Sequence, residues 1–254
     1  MSAQSFSVGE RPRVTVRLAS GSVRLVAGEP GTIVIDLQGR GSDTAIVEQS
    51  GDTVTVRQEE RMWRGSVHVT VTAPEGVSVS VSLASADLDV EVPVEDLTAS
   101  LASGDARITE VRRELSLKSA SGDLEVDRLV GRGKVNSASG DVRIAEAAED
   151  VSVNTASGDI TIGQARGDVR LHSASGDVVV RSYLGADIGV VTVSGDATVG
   201  LPTGRSVNVE LRSLSGSIKL PSPTPSPVSQ EHRMQVQLRF KSVSGDFELV
   251  KTGS

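Results

Sequence analysis

The sequence predicts an all-β protein built as a parallel β-solenoid, and three observations support this prediction. A Ser-Gly-Asp phrase recurs with a fixed 18-residue period, opening at Ser103, Ser121, Ser139, Ser157 and Ser175. Apolar and polar residues alternate on both sides of each phrase, which is typical of half-buried strands. The chain has 26 glycines and only 2% aromatic residues, which suits a thin interior of similar layers. A fixed period over many copies indicates a repeat architecture.

Each 18-residue repeat is predicted to form one coil with two main strands. Apolar residues precede the serine by six and four positions and follow it by three and five, as Val151, Val153, Ile160 and Ile162 do around Ser157. We expect each strand to stack in parallel on the next coil, about 4.8 Å away. We also expect a right-handed helix, because parallel crossovers are overwhelmingly right-handed. A left-handed hexapeptide helix would need an aliphatic residue every six positions, and the columns do not follow that spacing.

The rest of the chain is interpreted around this array. Residues 1–75 carry strand signals without the strict period and are expected to form a cap or irregular first coils. Residues 76–220 form the regular solenoid, 221–230 a proline-rich loop insertion, and 231–254 the final coil and C-terminal cap. Phe240 and Phe247 are large enough to cover the end of the core. We expect caps at both ends, because an open end exposes unpaired backbone and apolar side chains.

Ser-Gly-Asp is predicted to be the corner between the two strands of a coil. Glycine adopts positive φ without a steric clash, and aspartate bonds nearby backbone N–H groups. The alanine before the serine, such as Ala156, is expected to pack inside the turn. Carboxylates stacked about 5 Å apart would have raised pKa values unless backbone donors, arginines or a cation compensate. The predicted structural ladder consists of Gly104, Asp105, Gly122, Asp123, Gly140, Asp141, Gly158, Asp159, Gly176, Asp177, Gly195 and Asp196.

This aspartate ladder has three competing interpretations. A structural role as turn former is favoured, because the acids are spread evenly over every repeat. A calcium-stabilised β-roll stays open as an alternative, since its paired nonapeptide units give a repeat of the same length, although its GGxGxD glycines are missing here. A polysaccharide-active β-helix enzyme is the third, but such sites concentrate acids with aromatic partners, and this chain has one Trp, one Tyr and three Phe.

Composition and motifs argue against several other functions. The formal charge is -7 with acidic and basic residues interleaved, which does not predict a nucleic-acid partner. There is no cysteine, and His68, His172 and His232 share no metal-ligand spacing. No phosphate-binding, dinucleotide-binding or hydrolase motif occurs. We therefore predict no catalytic residue, no cofactor and no metal ligand, and a protein that is not an enzyme.

The N-terminal residues predict the compartment. Residues 1–16 lack the basic and apolar regions of a signal peptide, and no run of about 18 apolar residues predicts a membrane span. We expect a cytoplasmic protein without direct membrane insertion.

The predicted function is a non-enzymatic structural or interaction module that binds an unknown protein partner or associates with itself. Its candidate contact residues lie where the period fails, at Met62, Trp63, Arg64 and Tyr183. Trp and Arg are enriched at interface hot spots, although Trp63 would equally serve to shield the core of the cap. The repeated polar columns offered to a partner are Ser116, Lys118, Lys134, Asn136, Ser152, Asn154, Arg170 and His172.

The chain resembles the bacterial β-strand-repeat proteins classed as adhesins, a domain family of unknown function. The resemblance rests on the S-G-D-[VIL]-x-[VIL] phrase at 18-residue spacing, on VTAPEGVSVSV at 71–81, and on the strand-rich N-terminal part. It implies surface adhesion and supplies no catalytic motif that could be placed on this sequence.

Overall fold

The computed structural model describes residues 2–58, 65–221 and 235–252. These residues form 22 β-strands and a single helical turn, the 3₁₀ helix Ser42–Thr44. The predicted all-β class is confirmed. The chain divides into two units, Met1–Val135 and Asn136–Ser254, which we call the N-terminal unit and the C-terminal unit.

The strands follow the alternating sequence pattern, and in most of them every second side chain is buried. In the N-terminal unit they are β1 Ser2–Ser7, β2 Arg13–Ala27, β3 Thr32–Gln38, β4 Ala45–Ser50, β5 Thr53–Gln58, β6 Val67–Ala73, β7 Val77–Val90, β8 Val94–Ser103, β9 Ala106–Ser121 and β10 Leu124–Leu129, with β11 Arg132–Ser137 at its end. In the C-terminal unit they are β12 Val142–Ala147, β13 Val151–Ser157, β14 Ile160–Ala165, β15 Val169–Ser175, β16 Val178–Tyr183, β17 Asp187–Ser194, β18 Ala197–Pro202, β19 Ser206–Ser215, β20 Ile218–Lys219, β21 Gln235–Ser244 and β22 Phe247–Thr252.

Most strands pair in parallel at the spacing of the corner serines. In the N-terminal unit Val79 pairs with Leu97, which pairs with Leu115. In the C-terminal unit Ile160 pairs with Val178, which occupies the same position one repeat further along the chain. The apolar residues at matching positions therefore form inward columns, and these five side chains are at most 3% exposed.

Residues 13–27 belong to the stacked array, and the segment after them covers it. β2 pairs in parallel with β7, so that Val14 meets Val79 and Ser20 meets Ser85. β5 and β6 pair with the other side of β2. Three further pairs are antiparallel: β4 pairs with β5, β3 pairs with β6, and β1 pairs with β3. The offset from Ser20 to Ser85 departs from multiples of 18 because β3, β4, β5 and β6 lie between β2 and β7 in the chain.

The C-terminal unit breaks the chain order. β21 pairs in parallel with β17 on one side and with β19 on the other, and β22 likewise lies between β18 and β20. The last segment of the sequence is therefore inside the stack, and the outermost repeat is the one carrying β19 and β20. The expectation that Phe240 and Phe247 cover the end of the core is wrong. Both are 0% exposed with ring centroids 4.8 Å apart, because repeats pack on both sides of them.

The alanine before each corner serine is also placed differently from the expectation. Ala102, Ala120 and Ala156 are exposed. The residue one position earlier is buried, as Leu101 is at 4%. Because side chains alternate between the faces of a strand, burial at that position directs the alanine outward.

Candidate interaction face and corner ladder

Backbone geometry fixes glycine at each Ser-Gly-Asp corner. Gly104 has φ +123° in the N-terminal unit, and Gly158 and Gly176 have φ +120° and +127° in the C-terminal unit. A Cβ on Gly158 would lie 2.2 Å from the carbonyl oxygen of Gly140, the corner glycine of the neighbouring repeat. A Cβ on Gly176 would lie 2.3 Å from the same atom of Gly158. Conformation and close stacking therefore both exclude a side chain.

The corner aspartates bond the backbone of the next repeat. Asp105 Oδ1 accepts a hydrogen bond from the Asp123 backbone N–H at 2.9 Å. Asp159 Oδ1 accepts from Asp177 N–H at 2.8 Å, and Asp177 Oδ1 accepts from Asp196 N–H at 2.8 Å. Each carboxylate thus satisfies a donor that the parallel pairing leaves at the corner. Backbone donors are one of the three compensating partners that the stacked charges were expected to need.

The ladder continues into the outermost repeats of the C-terminal unit. Asp246 N–H donates to Asp196 Oδ1 at 2.8 Å, and Ser217 N–H donates to Asp246 Oδ1 at 2.7 Å. Hydrogen bonds from the backbone and side chain of Ser217 lower the pKa of Asp246. A shorter ladder lies at the opposite corner, where Asp168 N–H donates to Asp150 Oδ1 at 3.0 Å. The corner aspartates therefore connect one repeat to the next.

In the N-terminal unit, one exposed row crosses the strands that precede the corners. Arg17 lies beside Arg57 on one side and beside Ser82 on the other. Ser82 pairs with Ser100, and Ser100 with Lys118. These side chains line a groove of about 1230 Å³ whose floor includes the alanines before the corners. The predicted columns Ser116 and Lys118 lie on this face, and the exposed Lys134 follows on β11. We call this row, with its groove, the polar face.

The C-terminal unit carries a corresponding row. Asn154 Nδ2 donates to Asn136 Oδ1 at 3.1 Å, Asn154 pairs in register with His172, and Ser152 with Arg170. A groove of about 450 Å³ lies over this row and ends at Val191 and Val193. The predicted columns are thus brought into rows within each unit, with the amides bonding between repeats.

A column of buried hydroxyls was missed by the sequence analysis. The column occupies the position two residues before each corner serine, where the first repeats have Leu83 and Leu101. Later repeats have a hydroxyl residue there that is 2–8% exposed: Ser119, Ser137, Thr155, Ser173, Thr192 and Ser242. Thr155 Oγ1 donates to the Ser157 carbonyl at 3.0 Å. Among the described residues, the hydroxyls of Ser173, Thr192 and Ser242 have no hydrogen-bond partner. The replacement of leucine by Ser or Thr at this one position was the signal that could have revealed the column.

The irregular contact candidates are only partly described. Met62, Trp63 and Arg64 lie outside the described residues, as do His232 and most of the proline-rich loop. Tyr183 is 0% exposed, so the expectation of a surface contact through its ring is corrected to a core position. Burial raises the pKa of Tyr183, and the carboxylates of Asp168 and Asp187 add to this rise. Its sequence position in an irregular corner gave no indication that the ring turns inward.

The described residues contain no group of three or more His, Asp or Glu side chains arranged to hold a metal ion. In the same part of the chain, no helix is long and apolar enough to cross a membrane. The ladder is a series of hydrogen bonds between repeats, and the polar face is a row of exposed side chains.

Solved structures of several bacterial proteins are similar to this chain to different degrees. A putative adhesin from Bacteroides fragilis is 14% identical over 97% of this chain and 96% of its own, with a TM-score of 0.52. A putative cell adhesion protein from Clostridium sporogenes is 8% identical over 99% of both chains, with a TM-score of 0.29. A putative lipid binding protein from Parabacteroides distasonis is 9% identical over 100% of this chain and 94% of its own, with a TM-score of 0.36. Only the first of these similarities is strong enough to bear on the fold.

No curated protein matches the sequence. The family model described as Toastrack DUF4097 matches residues 13–250. This match confirms the resemblance to β-strand-repeat proteins of unknown function. The chain therefore belongs to the Toastrack DUF4097 family.

Proposed function

We propose that this protein is a non-enzymatic interaction scaffold that presents the polar face to a protein partner. The observation that carries the proposal is the row Arg57, Arg17, Ser82, Ser100 and Lys118, in which one outward side chain per strand stands in register over a groove of about 1230 Å³. Hydroxyls and cations at fixed spacing offer a partner several directed hydrogen bonds on a preorganised surface, which limits the entropy lost on binding.

The cationic ends of this row favour an acidic partner surface. Arg17 and Arg57 are neighbours in register, and like charges placed opposite each other on a sheet are unfavourable. Arg57 already contacts Glu48, with Nη2 3.1 Å from Oε1. A carboxylate from a partner above Arg17 would relieve the remaining repulsion. The adhesin name of the Bacteroides fragilis structure agrees with a role in contact between molecules.

We also infer that the repeats wind as a right-handed solenoid and that β1, β3 and β4 act as its N-terminal cap. The 18-residue pairing offset supports a solenoid, the strong preference of parallel crossovers for the right hand supports the winding, and the antiparallel strands beyond β2 support the cap. An experimental structure in which successive repeats wind to the left would refute the handedness.

Site-specific crosslinking in native cells tests the interaction. A photo-crosslinking amino acid replaces Ser100, which is exposed in the middle of the row, and Thr109, which is exposed on the strand after the corner, serves as the matched control. We expect a defined protein adduct from position 100 and not from position 109. Arg17→Glu and Lys118→Glu should reduce this adduct in an otherwise folded protein.

Equal adducts from positions 100 and 109, or none from position 100, would refute presentation by this face. Turnover of a polysaccharide that disappears in Asp159→Asn would refute the non-enzymatic assignment.

A further inference from the structure

The outermost repeat of the C-terminal unit has an open strand edge. β19 pairs with β21 on one side, and no other described strand pairs with it. β20 likewise pairs with β22 alone among the described strands. Such an edge presents unpaired backbone N–H and C=O groups, which favour pairing with a further strand.

The side chains that point into the stack are incompletely covered at this edge. Val207, Val209 and Leu211 are half-buried, whereas Phe240, which pairs with Leu211 one repeat further in, is 0% exposed. On the same outer repeat Ile218 is 43% exposed. Another layer would remove this apolar surface from water, which favours association by about 25 cal/mol per Å² before the costs of ordering.

The edge strands of the N-terminal unit also carry exposed polar residues. β1 presents the exposed polar residues Gln4 and Ser5, and β4 presents Glu48 and Gln49. Polar and charged residues discourage edge pairing. β4 also has the half-buried Ile46 and Val47, so what distinguishes the β19 edge is the more exposed apolar surface of Leu214 and Ile218 beside it.

An exposed row of apolar side chains runs towards the same edge, and its side chains become larger along the way. It occupies the position before each corner serine and reads Ala174, Val193, Val243 and Leu214 from β15 through β17 and β21 to β19. Val193 is 52% exposed and Leu214 is 86% exposed. A small alanine suffices inside the array, whereas a large leucine exposed at the boundary is typical of a contact surface.

The charges on β19 favour a second copy of the same strand as the partner that pairs with the open edge. Glu210 and Arg212 lie on the same outward side of the strand, on either side of Leu211, and Arg212 Nη2 lies 2.8 Å from Glu210 Oε1. Arg212 pairs in register with Lys241, so it lies beside a like charge. In an antiparallel pair of β19 strands centred on Leu211, Glu210 of one copy lies opposite Arg212 of the other, twice by symmetry.

We propose that a second copy of this chain docks on β19, so that the two edge strands pair antiparallel about a two-fold axis through Leu211. This isologous contact closes both open edges at once and cannot propagate into a filament through the same surface. The inference rests on the proposed scaffold role but uses a surface other than the polar face.

Charge exchange on the full chain tests the proposal. The molar mass is measured by light scattering and sedimentation over a concentration series for the wild type, Glu210→Arg, Arg212→Glu and the double exchange Glu210→Arg with Arg212→Glu. We expect a dimer for the wild type, a dissociation constant raised about 100-fold or more in each single variant because two like-charge contacts form, and recovery of the dimer in the double variant. Arg107→Glu, exposed on β9, is the matched control that should leave the dimer intact.

Hydrogen exchange of β19 provides a second measurement. In the dimer the outward amides of Ser206–Ser215 should be protected, and this protection should be lost in the single variants while that of β17 remains. A wild-type monomer at high concentration, single variants that dimerise as tightly as the wild type, or a growing filament would each overturn the proposal. Protection of β19 in a monomer would show that the chain covers this edge itself, which also overturns it. Crosslinking from position 100 is unaffected by these outcomes, so failure of the dimer is distinguishable from failure of the polar face.

Discussion

Gly158→Ala tests whether close stacking at the corner holds the repeats together. The new Cβ would lie 2.2 Å from the Gly140 carbonyl oxygen and 2.7 Å from its carbon, well inside van der Waals contact. The backbone at position 158 has φ +120°, which an L side chain adopts only with strain. Relief of the clash would displace the corner and weaken the hydrogen bond from the Asp159 N–H to Asp141 Oδ1, now 3.0 Å.

Three other glycines of the C-terminal unit separate these causes. Gly204 has φ +89° and open space around its Cβ position, so Gly204→Ala isolates backbone strain, at about 1–2 kcal/mol of unfolding free energy. Gly163 lies 2.4 Å from the Ala145 carbonyl oxygen at an ordinary φ, so Gly163→Ala isolates overlap, at about 1–3 kcal/mol. Gly189 has neither constraint, so Gly189→Ala should stay within about 0.5 kcal/mol. Gly158→Ala combines both effects and should cost about 2–5 kcal/mol.

Urea denaturation followed by far-ultraviolet circular dichroism measures the four alanine variants against the wild type. Hydrogen exchange of the β13 and β15 amides should show that the loss in Gly158→Ala begins at this corner. If Gly158→Ala unfolds at the same urea concentration as Gly189→Ala, contact between corner glycines does not limit stability and the reasoning fails.

Three further changes probe the side chains of the C-terminal unit. Asp159→Asn should change the unfolding free energy by less than about 1 kcal/mol, because an amide oxygen can still accept from the Asp177 N–H; a large loss, or a melting temperature that calcium raises and EDTA lowers, would instead favour the β-roll. Tyr183→Phe should change stability by less than about 1 kcal/mol in thermal melts, because the buried hydroxyl makes only a poor contact with the Asp187 backbone; a clear loss would show a strong hydrogen bond. Because the pKa of Asp246 is lowered in the folded protein, its ionised carboxylate stabilises the fold at pH values above the ordinary carboxyl pKa. This stabilisation is lost as the pH falls through the lowered pKa. Asp246→Asn should therefore flatten the decline of stability with acid, and an unchanged pH profile would contradict this.

The interior of the array was predictable because one local rule repeats. Alternation around Ser157 gives the buried Val153 and Ile160, and the glycine after the serine requires the corner. The aspartate was predictable as a backbone partner, but its bond to the next repeat was not. The sequence shows which residues form the corner. The backbone N–H that the aspartate binds belongs to the neighbouring repeat, and its position depends on how the repeats stack.

The hydroxyl column shows a second limit of the pattern. Ser173 and Thr192 occupy a strand position that faces the core, whereas the neighbouring alanine was expected in the interior because of its small size. The odd or even position of a residue along the strand decides whether its side chain faces the core or the solvent. A shift of one residue would bring the alanine inside but would also move Val169 and Leu171 out of the core. Position in the alternation is therefore a better guide than the character of a single residue.

The order of the outer repeats could not follow from the sequence, because repeats with the same corner are interchangeable partners. Ser244 can meet Ser194 or Ser215 with the same backbone geometry, and in the structure it meets both. The size of the inward-facing residues decides between the possible orders of the outer repeats. Phe240 needs a layer on each side to be fully buried, whereas Leu211 tolerates half-burial, so placing the aromatic repeat inside removes more apolar surface from water. The same choice leaves the weaker repeat as the edge, which is why the candidate self-association surface lies on β19 rather than on the last strand of the chain.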